Sequence, residues 1–242
     1  MDGRRITNTA SDYVNVVDVP LSTPGHFAKY VRFAGDFTWD TTRSFEKYGK
    51  VQSVRYVLEG KFDNPRGLKS FTMTDNLMCL DAPTDNAKVL YEEAPNCKKP
   101  GVFPTEASLG KTPFSVEATL ADGSKRKFNS TLDKDIDYFT SYKVKFPDEI
   151  YKKIRSLKFT VTPTKPEEFQ DKYRIWVGVD VSSDAMNGDV LRNVLHAQYT
   201  SRDGATSDSV TTRPADIRIK EKTSISTDVT ESVSYTHLRA HE

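Results

Sequence analysis

Residues Ser53 to Leu77 read SVRYVLEGKFDNPRGLKSFTMTDNL. In Val54-Arg55-Tyr56-Val57-Leu58-Glu59, residues Val54, Tyr56 and Leu58 share one face at a spacing of two, the period of a half-buried strand. Asp63-Asn64-Pro65-Arg66-Gly67 is a dense turn signal, because Pro65 fixes φ and Gly67 tolerates a positive φ. The chain then returns through Leu68-Lys69-Ser70-Phe71-Thr72-Met73-Thr74-Asp75, rich in residues that suit a pleated surface. The stretch has the form of a β-hairpin, and the remaining chain repeats its grammar.

Phe114-Ser115-Val116-Glu117-Ala118-Thr119-Leu120 alternates, Asp122-Gly123 makes a tight turn, and Lys125-Arg126-Lys127-Phe128 returns. Tyr142, Val144 and Phe146 alternate with Lys143 and Lys145. Pro147 to Lys153 reads as one helical turn with Pro at its start and Lys at its end. Leu157, Phe159 and Val161 form another strand, and Tyr173, Ile175, Val177, Val179 and Val181 give the longest clean alternation. No segment carries an amphipathic helix of three turns. Short strands between Gly, Pro, Asn and Asp turns predict an all-β, antiparallel β-sandwich. The region from about 80 to 155 is too long for a connection. It is either a second small β-sandwich inserted between strands of the first, or extra strands widening one sandwich.

The chain has 242 residues, enough for a real core, with 35 Lys+Arg against 34 Asp+Glu and a net charge of +1. That balance gives no electrostatic reason to bind nucleic acid or an anionic membrane. The apolar runs are a few residues long, far short of a membrane-spanning helix. Met1-Asp2-Gly3-Arg4-Arg5 is not followed by an apolar signal-peptide core, so the signal of an exported parent is expected outside this stretch. Residues 233–242, VSYTHLRAHE, resemble the translation of a transposon-type sequencing-library adaptor. On that reading they are an artefact, the protein continues past Ser232, and His26 and His196 are its two histidines here.

Arg5-Ile6-Thr7-Asn8-Thr9-Ala10 and Val190-Leu191-Arg192-Asn193-Val194-Leu195 look alike, 193 − 8 = 185 positions apart, and each is followed by a polar stretch and a new strand. This is the pattern of a tandem array. It predicts the end of a preceding repeat at 1–12, one complete sandwich unit at 13–213, and the first strand of a following repeat at 214–232.

These residues resemble a known family. The Tyr-Val strand, the Asn-Pro-Gly turn, Phe71-Thr72-Met73-Thr74-Asp75-Asn76-Leu77, Ile154-Arg155-Ser156-Leu157-Lys158-Phe159 and Leu191-Arg192-Asn193-Val194 resemble immunoglobulin-like repeats of large surface proteins from Gram-positive and gut bacteria. Such repeats carry a strand ending Thr-Asp-Thr-Leu-Pro and close on Ile-Thr-Asn-Thr-Ala. Here Asn76 replaces the Thr, and Met78 stands where Pro is expected. The resemblance implies an immunoglobulin-like sandwich in a non-catalytic stalk or adhesin module at the bacterial cell surface, anchored through regions outside this stretch. Its implied partners are neighbouring repeats of the same chain and a host protein or glycan; no cofactor is implied.

Several such domains form an internal isopeptide bond between Lys and Asn, promoted by a buried carboxyl group. A lysine amine attacks only when neutral, and an apolar core lowers its pKa. A protonated carboxyl group can then polarise the amide and shuttle protons. The matching positions are Lys29, Asp75 and Asn193, with Lys47 and Lys50 as rival amines; the alternative is a surface lysine, a turn aspartate and a capping asparagine. Cys79 and Cys97 either form a disulfide, in an oxidising compartment, or remain two thiols. With distant histidines they are too few for a zinc site.

A second reading is a carbohydrate-binding module, for which Trp39, in a loop-like context, is the glycan-contact candidate and Trp176 the lesser one. Asp133, Asp135 and Asp137 alternate but lack the Gly and final Glu of a known calcium loop. No Gly-x-Ser-x-Gly, phosphate-binding loop or metal-ligand cluster is present, and Glu167-Glu168 lie in a polar stretch where solvation explains them.

Overall fold

The computed structural model describes residues 25–33, 40–46, 54–80, 90–91, 97–133 and 141–220. Its strands are β1 (Gly25–Phe33), β2 (Thr42–Glu46), β3 (Val54–Phe62), β4 (Leu68–Asn76), β5 (Val102–Leu109), β6 (Phe114–Leu120), β7 (Lys125–Asn129), β8 (Thr131–Asp133), β9 (Ser141–Lys145), β10 (Ile154–Val161), β11 (Lys172–Val181), β12 (Val190–Asn193), β13 (Leu195–Ser201), β14 (Val210–Thr211) and β15 (Ala215–Lys220). One sheet has the order β1-β3-β11-β5-β9-β8 and the second β14-β13-β4-β10-β6-β7; a smaller sheet has the order β12-β15-β2. Pairing within the two large sheets is antiparallel, and β15 lies parallel to β2. The fold is an antiparallel β-sandwich.

The two halves of the 53–77 stretch are not a hairpin. β3 pairs with β1 and β11, whereas β4 pairs with β10 and β13 in the opposite sheet. The Pro65–Gly67 turn, a single 3-10 turn, therefore carries the chain from one layer to the other. Alternation alone does not separate the two cases. In a hairpin the apolar rows lie side by side, and in this arch they face each other. Val54, Tyr56 and Leu58 oppose Phe71 and Met73 across one core, and all five are at most 1 % exposed. A true hairpin does form at Asp122-Gly123 between β6 and β7, where Gly123 has φ +80° and the Asp122 carboxylate accepts from the Ser124 N–H.

The described strands between residues 80 and 155 extend both sheets of this sandwich. β5, β8 and β9 extend the first sheet, β6 and β7 extend the second, and their apolar residues join one continuous core. Phe62 anchors an aromatic cluster with Phe27, Phe71, Tyr173 and Tyr199, at centroid distances of 5.8, 5.3, 5.9 and 5.6 Å. Phe62, Phe71 and Tyr173 are fully buried, and burial of a side chain such as Phe contributes roughly 1.5–3 kcal/mol of transfer free energy.

β15 pairs with β12 and β2 and buries Ala215, Ile217 and Ile219. Its alternation is that of any half-buried strand, and period alone does not say which sheet a strand joins. Residues 1–24 and 221–242 lie outside the described residues.

Candidate functional site

Three inward positions hold polar side chains. In β1 the inward row is Phe27, Lys29, Val31 and Phe33. In β4 it is Phe71, Met73 and Asp75, and in β12 it is Leu191 and Asn193. Lys29 comes from the first sheet, Asp75 from the second and Asn193 from the third. Register fixes each: Lys29 faces Leu58 across β1–β3, Asp75 lies between Leu157 and Leu195, and Asn193 faces Ala215.

The structure brings these three together. Lys29 Nζ lies 2.6 Å from Asp75 Oδ1, and Asn193 Nδ2 donates to the same oxygen at 2.7 Å. The three residues are 2 %, 0 % and 2 % exposed. Lys29 Nζ also sits 4.4 Å from the centre of the Tyr56 ring, whose hydroxyl donates to Met78 Sδ at 2.9 Å. Two buried acceptors, Asp75 Oδ2 and Asn193 Oδ1, have no hydrogen-bond donor.

Burial dominates the electrostatics. It brings the Lys29 amine down from 10.5 to about 8, although the Asp75 charge and hydrogen bond resist that fall. Burial also pushes the Tyr56 phenol well above its ordinary value, reinforced by Asp75 and Asp216, so Tyr56 remains a donor. An ion pair taken fully out of water is held at a cost that its mutual attraction barely offsets. Moving one proton from Lys29 to Asp75 removes both charges and supplies the donor that the two orphaned acceptors lack.

Cys79 and Cys97 form a disulfide, with Cα atoms 5.5 Å apart. It clasps the segment after β4 to the segment before β5, alongside the hydrogen bonds Leu80 N–H to Lys99 O and Gly101 N–H to Met78 O. The clasp begins at Met78, which anchors Tyr56 and lies 78 − 75 = 3 positions beyond Asp75.

The other sequence candidates do not converge here. Trp39, Lys47, Lys50, Asp135 and Asp137 lie outside the described residues. Trp176 projects from the outer face, and the Arg32 guanidinium lies 5.2 Å over its ring, occupying a face that a sugar would need. Glu168 Oε2 accepts from the Thr164 and Lys165 N–H groups, which closes a turn. Lys125 of the basic β7 strand pairs with Glu117 on β6. Tyr56 and Met78 were not singled out from sequence. The readable signal was Tyr56 in the inward row of β3, where a buried phenol needs a partner.

No protein-family model matches the sequence, and no curated protein matches it. Among solved structures the chain is similar to the major pilin subunit BcpA of Bacillus cereus, at 9 % identity and a TM-score of 0.42, covering 80 % of this chain and 40 % of that one. It is also similar to the 35 kDa C-terminal fragment of the major pilin GBS80 of Streptococcus agalactiae (13 %, 0.39, covering 81 % and 56 %). A third is ACE19, the collagen-binding subdomain of the Enterococcus faecalis surface protein ACE (8 %, 0.30, covering 79 % and 95 %). The chain thus spans about 40 % of the length of the BcpA pilin subunit.

Proposed function

We propose that this domain is a non-catalytic structural repeat, of stalk or adhesin type, in a bacterial cell-surface protein, and that it closes its own sandwich with a Lys29–Asn193 isopeptide bond. The observation that carries this reading is the convergence of Lys29 Nζ and Asn193 Nδ2 on one buried oxygen of Asp75. A lysine and an asparagine held on one carboxylate inside an apolar core are reactants already positioned.

The chemistry balances within the site. The Lys29 ammonium gives a proton to Asp75, leaving a neutral amine and a carboxylic acid. The acid donates to Asn193 Oδ1 and polarises its carbonyl, and the amine attacks Cγ. The new Nζ–Cγ bond forms, the Cγ–Nδ2 bond breaks, and Asp75 relays a proton from Nζ to the departing nitrogen. One ammonia leaves, and no oxidant or metal is required.

An extracellular location is supported by the Cys79–Cys97 disulfide, since such bonds persist in oxidising compartments. Neighbouring repeats of the same chain are the partners this reading expects. Intact mass spectrometry of the denatured protein, before and after reduction, tests it. The expected mass is short by one ammonia in a way that reduction does not restore, and by two hydrogens that it does restore. A mass short only by those two hydrogens would remove the crosslink.

A further inference from the structure

The proposed bond does not span the whole sandwich. Its loop encloses residues 30–192, and β13, β14 and β15 lie beyond it. From Asn193 to the end of β15 is 220 − 193 = 27 residues, and from the start of β1 to Lys29 is 29 − 25 = 4. The described fold runs over 220 − 25 = 195. A load entering before β1 and leaving after β15 passes from Lys29 through the bond to Asn193. The strands within the loop therefore carry no tension along their own chain.

β15 is what such a load meets first. It is a core strand, with Ala215 and Ile217 fully buried and Ile219 1 % exposed. It lies between β12 and β2, with Asn193 opposite Ala215 and Lys220 opposite Glu46. The anchored residue, Asn193, thus faces the N-terminal end of β15, while the load leaves from its C-terminal end. Force applied to opposite ends of a paired strand is shared across its perpendicular ladder bonds, rather than opening them one at a time. The Asp216 N–H to Thr41 O bond at 2.7 Å and the Ile219 N–H to Asp189 O bond at 2.9 Å tie both ends of β15.

We infer that residues 194–220 are a tether of fixed length, clasped by β15, which a load draws out of the sandwich while the 30–192 loop stays shut. The inference rests on the crosslink proposed above. It adds a force-limiting function to a structural repeat: the domain yields once by a set distance and then holds. Inside the closed loop β4 keeps its pairing with β10 as the template for the return of β13, while β12 and β2 lose the strand that joins them until β15 comes back.

The test is single-molecule stretching of the full chain, with handles at its two ends, on material whose mass has been measured. The four residues before Lys29 and the 27 after Asn193 release about 100 Å of chain when extended, against about 650 Å for the whole described fold. The expected trace has lengthening limited to about 100 Å, recovered on relaxation, and no further extension. Asn193→Ala should extend by the full length. Ile217→Ala, which loosens β15 without touching the bond, should yield at lower force with unchanged length. In protein short by one ammonia, no extension overturns the tether and leaves the crosslink standing, whereas full extension means that the ammonia was lost elsewhere and overturns both. Protein of full mass overturns both.

Discussion

Asn193 donates its side-chain amide to Asp75 Oδ1 at 2.7 Å, across 118 positions of sequence. The contact joins the end of β12 to the end of β4, and that same oxygen holds Lys29 at 2.6 Å. In the proposed chemistry Asp75 serves two roles, as counter-charge and as proton relay, and substitutions separate them. Asp75→Ala removes both. The expected protein keeps its ammonia, and it loses a further 3–5 kcal/mol, roughly the cost of leaving a buried charge unpaired. Asn193→Ala also blocks the bond but leaves the ion pair in place, so urea unfolding of the two isolates the ion-pair term. Adding Lys29→Met to Asp75→Ala should recover part of the loss. Equal stability of Asp75→Ala and Asn193→Ala would show that the pair contributes nothing.

Crosslinking should depend on pH through the Lys29 amine. The neutral amine and carboxylic acid together hold the same single proton as the ion pair they come from, so their share does not change with pH while that proton stays on the pair. Refolding from denaturant at pH 6, 7 and 9, with quenched samples weighed, should show ammonia loss at one rate at pH 6 and 7 and a slower one at pH 9, above the Lys29 value of about 8, where the proton is lost to solvent. A rate that rises tenfold per pH unit from 6 to 8 would mean that the amine is deprotonated by solvent and that Asp75 is not the acid. The uncrosslinked Asn193→Ala protein carries the linked effect on stability. Between about 8 and the ordinary 10.5 the unfolded chain binds more protons at Lys29 than the folded one. Stability therefore rises with pH across that window, and below it the penalty is present in full.

The strands were legible because burial imposes a period of two, and nearly every alternating run became one. What period two does not encode is the layer a strand joins, and so the 53–77 arch reads as a hairpin. The site candidates came from the family resemblance, and the strands show why those positions face inward. Lys29 occupies the inward slot between Phe27 and Val31, and Asp75 the slot after Phe71 and Met73; a charge in an apolar row demands a partner. Nothing local told Lys29 that its partner lay 46 positions away, because strand order, not spacing, brings β1 over β4. Tyr56 escaped notice because its ring looks like ordinary core until Lys29 is placed above it.

Gly101 supplies a mutation far from the reacting atoms that should still reach them. A Cβ at this position would stand 2.5 Å from Leu191 Cδ2. Leu191 is fully buried in β12, two residues before Asn193 on the same face, so it has no free space to turn into. Gly101→Ala should push β12 outward, cost roughly 1–3 kcal/mol as overpacking, and slow ammonia loss by misplacing Asn193. Gly110 is a control, since nothing lies within 4 Å of a Cβ there. Equal crosslinking rates for Gly101→Ala and Gly110→Ala would mean that β12 absorbs the strain without moving its asparagine.

The disulfide and the proposed crosslink close nested loops, and their contributions should add. Cys79 and Cys97 are 18 positions apart, inside the 193 − 29 = 164 that separate Asn193 from Lys29. A loop of the smaller size stabilises by about 3 kcal/mol in the chain-entropy account, whether or not a larger loop surrounds it. Reduction should therefore lower the unfolding free energy by a similar amount in the wild-type chain and in Asn193→Ala. The clasp also restrains Met78 and, through it, Tyr56 beneath the Lys29 amine. Any excess loss should appear in the rate of crosslinking rather than in the final mass. Cys79→Ser with Cys97→Ser should reach the same ammonia-deficient mass, more slowly. A doubly substituted chain that never loses ammonia would make the disulfide a precondition of the bond and not an independent support.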